Sequence, residues 1–120
     1  LKRTDKAIDL IKEIKDLDGK VVIYGAGVFG EKVYDKLKTN KKIEKLYIVD
    51  KEWKNLNQKP FLVDNPETIV DINPDKIIIS ILNEKVCSNV GEYLIEIGVD
   101  DNKIIKIDFS NLYMNKVFDM

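Results

Sequence analysis

Six consecutive residues, Gly25-Ala26-Gly27-Val28-Phe29-Gly30, carry the spacing G-x-G-x-x-G. Glycine at the first position permits a tight turn, at the second a close approach of backbone to a charged group, and at the third the packing of a helix on the preceding strand. The chemistry served by this spacing is anion binding. N–H groups at a helix start have no intrahelical partner, and with the positive end of the helix dipole they can take a diphosphate. Asp50 stands twenty positions after Gly30. A carboxylate there accepts hydrogen bonds from ribose hydroxyls. Together these residues predict a site for a small-molecule nucleotide, with the diphosphate on the backbone of Gly25 to Gly30 and the ribose on Asp50. NAD(P) is the expected cofactor. The only arginine is Arg3, so a 2′-phosphate would meet just the point charge of Lys51, which favours NAD over NADP.

Such a site requires a strand before the turn and a helix after it. Lys20-Val21-Val22-Ile23-Tyr24 is short, continuous and β-branched, the pattern of a strand buried on both faces of a parallel sheet. Val28, Val33 and Leu37 then follow at helical spacing. A second strand at Lys45 to Val49 delivers Asp50, and Phe61-Leu62-Val63 reads as a short edge strand. Asn65-Pro66 starts a helix, Lys76 to Ile81 is a strongly apolar strand, Asn83 to Ile97 is a helix ended by Gly98, and Lys103 to Ile107 is the last strand. This alternation predicts an α/β fold, a doubly wound parallel sheet of about five strands in the order 3-2-1-4-5 with helices on both faces. Open sheets of this kind bind ligands beyond the carboxyl ends of their strands. Ser80 and Asn83 fall there and are candidate ligand contacts, with capping of the following helix as the other role open to Asn83.

The expected organisation is one nucleotide-binding domain over 1–120, a fragment of a longer protein. It comprises a core over 19–108, an amphipathic helix over 4–17 capped by Thr4, and a tail over 109–120 whose apolar residues again show helical spacing. Trp53 either stacks on a base or covers the sheet edge. Cys87 lies within a helix beside Val86 and Val90 and reads as a small buried hydrophobe. The acids Asp71, Asp75, Asp100 and Asp101 lack metal-site spacing and read as solvated turns.

With the turn and its flanking strands in place, the chain resembles the small Rossmann-type domains of bacterial sugar and surface-polysaccharide biosynthesis. Ile23-Tyr24-Gly25-Ala26-Gly27, Val49-Asp50 and Ile79-Ser80 carry the likeness, which spans roughly Lys20 to Asp108. Domains of this kind form the N-terminal part of nucleotide-sugar acetyltransferases, the first domain of sugar dehydratases, or attachments to sugar methyltransferases. The resemblance implies an NAD(P)- or UDP-sugar-binding module. No Tyr-x-x-x-Lys pair follows Ser80, so catalysis is expected from a domain outside this sequence. The remaining expectations are a cofactor half of such an enzyme, or a dimerisation domain with a vestigial site.

Composition narrows the field. Twenty basic against 21 acidic residues give a net charge of −1, which argues against nucleic acid as a partner. Zero histidines and one cysteine exclude a Ser-His-Asp arrangement and an intrachain disulfide. A lone thiol fits a reducing cytoplasm, and no apolar stretch approaches membrane-spanning length, so no membrane partner is expected. A homodimer or a further domain remains the expected macromolecular partner.

Overall fold

The computed structural model describes Ile14 and residues 16–56 and 61–107. Five strands, β1 (Gly19–Tyr24), β2 (Ile43–Val49), β3 (Val63–Asp64), β4 (Lys76–Ile79) and β5 (Ile104–Lys106), form one sheet in the order β3-β2-β1-β4-β5. Every pairing is parallel, as the alternation of strands and helices predicts. The helices are α1 (Val28–Leu37), a single turn α2 (Ile69–Ile72) and α3 (Glu84–Glu96).

β1 is the central strand, and its continuous apolar run is explained by its position. Val21 and Ile23 face one layer, where they meet Val33 and Leu37 of α1 together with Ile14 and Leu17. Val22 and Tyr24 face the other, where they meet Cys87 and Leu94 of α3 and Ile69 of α2. A central strand covered on both sides has no solvent face to keep polar. Ile14, Asp16 and Leu17 are the described part of the expected 4–17 helix: Ile14 is helical, Asp16 lies in an exposed turn rather than the helix, and Ile14 and Leu17 are buried. The rest of that segment and the 109–120 tail lie outside the described residues.

The local signals act largely as the sequence implies. Asn83 caps α3, its Oδ1 accepting the Val86 N–H at 3.1 Å, and Gly98 beyond the helix end takes φ +104°. Asn65 Oδ1 accepts the Glu67 N–H at 3.0 Å with Pro66 in the first turn. That turn is a 3₁₀ segment (Pro66–Thr68) running into α2, which Asn73 closes at once in the left-handed conformation.

β2 begins at Ile43 rather than Lys45 and β5 spans Ile104–Lys106 rather than 103–107, and three further expectations shift. β4 ends at Ile79 rather than Ile81, because its last bond to β1 is Ser80 N–H to the Tyr24 carbonyl at 2.9 Å. The edge strand is Val63–Asp64 instead of 61–63, since its register pairs Val63 with Ile48. Asp75 is more than a solvated turn residue: its Oδ2 accepts the Lys20 N–H at 2.8 Å, anchoring the start of β1.

Candidate functional site

β1 ends at Tyr24, and the chain enters the turn at Gly25, whose N–H donates to the Val49 carbonyl at 2.8 Å. Gly25 has φ +111°, and a Cβ there would lie 3.0 Å from the Ser80 carbonyl oxygen. Both facts require glycine. Gly30 is also required, because a Cβ on it would overlap the Gly25 carbonyl oxygen where α1 crosses the turn. Gly27 is different. It is exposed, its φ is −76°, and a Cβ there would meet nothing within 4 Å.

Gly27 is also the N-cap of α1, so no side chain caps the helix start. Its carbonyl accepts the Glu31 N–H at 3.0 Å, while the N–H groups of Gly27 and Val28 have no hydrogen-bond partner among the described residues. Val28 is 65% exposed, and Phe29 packs partly against the α1-side core. The turn therefore offers backbone donors and open space at its middle glycine, the geometry an anion requires.

Asp50 arrives at the same place from β2. Its Oδ2 accepts the Ala26 N–H and its Oδ1 the Glu52 N–H, each at 2.8 Å. The carboxylate thus ties the turn to the end of β2, and each oxygen retains a second acceptor direction. Ala26 gives its N–H to Asp50 and its methyl to the α1-side core, so of the six turn residues it adds no free donor.

The remaining sequence candidates are drawn to this edge in different ways. Ser80 is 5% exposed, lies beside Gly25, and its enclosed hydroxyl has no hydrogen-bond partner. Asn83 sits at the edge as the cap of α3. Lys51 is exposed immediately after Asp50. Trp53 covers the sheet: it packs on the α1-side core, with the Lys54 ammonium 5.6 Å from its ring centroid.

A groove of about 460 Å³ opens on the α3 side of the same edge. Tyr24, Lys51, Asn65, Asn89, Val90 and Tyr93 supply most of its walls. Sequence reasoning missed Tyr24, Asn65, Asn89 and Tyr93 as site residues. Tyr24 read as strand core, and the available signal was a polar-tipped aromatic closing an otherwise aliphatic strand. Burial, reinforced by neighbouring Tyr93 and Asp50, pushes the Tyr24 phenol up to about 12, so it stays protonated.

A smaller cavity of about 250 Å³ lies between the start of α3 and β5, lined by Ile81, Leu82, Glu84, Cys87 and Lys106. Cys87 is buried, as its neighbours in the sequence imply, and burial raises its thiol pKa despite the opposing pull of Lys106. Among the described residues no three His, Cys, Asp or Glu side chains cluster closely enough to hold a metal ion. No helix among them is long and apolar enough to cross a membrane.

A family model described as the PglD N-terminal domain matches residues 20–94. Neither the curated proteins nor the solved structures contain a match. The matched span runs from β1 into α3 and takes in the glycine turn, Asp50, Ser80 and Asn83, well over half of the chain. The chain therefore belongs to the PglD N-terminal domain family, a domain of bacterial sugar acetyltransferases.

Proposed function

We propose that this chain is a nucleotide-binding module that holds the nucleotide end of a nucleotide sugar for a sugar-modifying protein. The diphosphate lies over Gly27 against the N–H groups of Gly27 and Val28, and a ribose hydroxyl donates to the free acceptor direction of Asp50. The carrying observation is Gly27. Gly25 and Gly30 are glycine for reasons internal to the fold, whereas neither backbone conformation nor neighbouring atoms ask for glycine at position 27. A residue kept without a side chain over uncapped helix donors leaves room for a ligand.

Membership in a family of sugar acetyltransferase domains favours a nucleotide sugar over a redox cofactor, because acetyl transfer moves no hydride. NAD is the second reading, favoured by the G-x-G-x-x-G spacing with Asp50, a carboxylate that would repel a 2′-phosphate.

Gly27→Ala tests the site. Alanine is sterically free at this position, so the variant is expected to melt within a few degrees of the parent, while a Cβ over the turn lowers nucleotide affinity about tenfold or more. Thermal-shift and calorimetric titrations with UDP, UDP-N-acetylglucosamine, NAD and NADP provide the readout. Unchanged affinity in a normally folded Gly27→Ala protein would remove the diphosphate from the turn. A shift with NAD alone would replace the first reading by the second.

A further inference from the structure

Ser80 follows three fully buried isoleucines of β4, Ile77, Ile78 and Ile79, and is itself only 5% exposed. Its Oγ is enclosed and has no hydrogen-bond partner among the described residues. Buried polar groups are nearly always partnered, and one that is not costs stability that an alanine in the same place would not. Ser80 is therefore, like Gly27, a residue whose type the fold does not require.

Its position says what the hydroxyl is for. The Ser80 N–H donates to the Tyr24 carbonyl at 2.9 Å, and its own carbonyl oxygen lies 3.0 Å from where a Cβ on Gly25 would be, so the residue is fastened to the glycine turn. Ile77 and Ile79 face the α3-side core and Ile78 the α1-side core. Carried one residue past the strand, this alternation places Ser80 on the α1 face, the face whose helix starts at the uncapped turn. The residues that follow, Ile81 to Asn83, are neither strand nor helix, and Leu82 among them is 54% exposed.

Resting on the nucleotide reading above, we infer that Ser80 is a ligand-binding residue whose hydroxyl stays enclosed in the free protein. When a nucleotide binds, the connector over Ile81 to Asn83 shifts and the Ser80 O–H donates to an oxygen of the diphosphate. A hydroxyl can act in either sense, but diphosphate oxygens only accept, so its role here is that of a donor. A bond to a charged acceptor is stronger than one between neutral groups, which lets it offset the cost of moving the connector.

Ser80→Ala separates this role from a structural one, because the two change stability in different directions. The urea midpoint of the variant is expected at or above that of the parent, while calorimetric affinity for UDP falls about tenfold. The ³¹P resonances of bound UDP should move between parent and variant, and amide hydrogen exchange across 81–83 should change when UDP is added to the parent. A lower urea midpoint would show that the hydroxyl has a partner inside the fold, a buried water included, and would overturn the inference. Undiminished affinity, unmoved ³¹P resonances or unaltered exchange would each overturn it too. If Gly27→Ala loses affinity and Ser80→Ala does not, the nucleotide reading stands and the role of Ser80 falls. NAD carries the same diphosphate and replaces UDP as the probe if it alone binds; absence of binding by both would overturn the nucleotide reading and this inference with it.

Discussion

At the residue scale, the groups that serve the fold and those the proposed ligand would use differ in what their loss would do. Asp50 belongs to both, since its carboxylate holds the Ala26 and Glu52 N–H groups before any ribose arrives. Loss of affinity in an Asp50 variant therefore mixes a displaced turn with a missing contact, and Gly27 is the cleaner probe. Tyr24 makes a separate prediction through its proton. Its folded-state value of about 12 stands above the ordinary tyrosine value of about 10. A raised value means that the folded chain holds the proton more tightly than the unfolded chain. The stability so contributed is fully present below pH 10 and is lost as pH climbs toward 12. Urea midpoints measured between pH 9 and 12 should thus fall more steeply for the parent chain than for Tyr24→Phe. Parallel curves would show that the phenol is not held neutral by its surroundings.

At the scale of elements, caps and registers rather than side-chain contacts decide where the chemistry sits. β4 stops where Ser80 gives its N–H to Tyr24, and Asn83 starts α3 three residues later, so strand end and helix start converge on the turn. Removing the cap with Asn83→Ala should cost about 1 kcal/mol of stability, measured by urea unfolding, because the Val86 N–H loses its acceptor. Nucleotide affinity at a temperature where the variant is folded should change by less than twofold; a larger drop would assign Asn83 a ligand contact as well. These elements were readable in the sequence because their signals are local. A continuous β-branched run, an Asn-Pro start and a glycine stop each act within a few residues. The groove was not readable, because Tyr24, Asn65 and Asn89 come from three separate elements with no spacing in common. The hold of Asp75 on Lys20 escaped for the same reason: 55 residues separate the two, and only the parallel pairing of β1 with β4 brings them together.

At the scale of the whole molecule, the order β3-β2-β1-β4-β5 divides the chain into two halves that meet along β1. The first half, through Asp64, supplies the turn, α1 and Asp50; the second supplies Ser80, α3 and most of the groove. The layer made by Val22, Tyr24 and Val49 is flanked in the sheet by Ile77 and Ile79 and covered mainly by Ile69, Cys87 and Leu94, all from the second half, with Tyr47 of the first half packed partly against it. A fragment ending at Asp64 should therefore expose that layer, bind a hydrophobic dye such as ANS and associate, whereas residues 1–107 should remain monodisperse or form a defined oligomer by sedimentation. A dye-silent, monomeric fragment would show that the first half stands alone. Synthesis of the polypeptide runs in the same direction as this division. On the ribosome, the glycine turn is made early, but one edge of its strand stays without a neighbour until β4 emerges, and most of the groove comes later still. Under the nucleotide reading proposed above, the backbone donors of the turn would thus be made before most of the groove, whose contribution would be the last acquired as the protein matures.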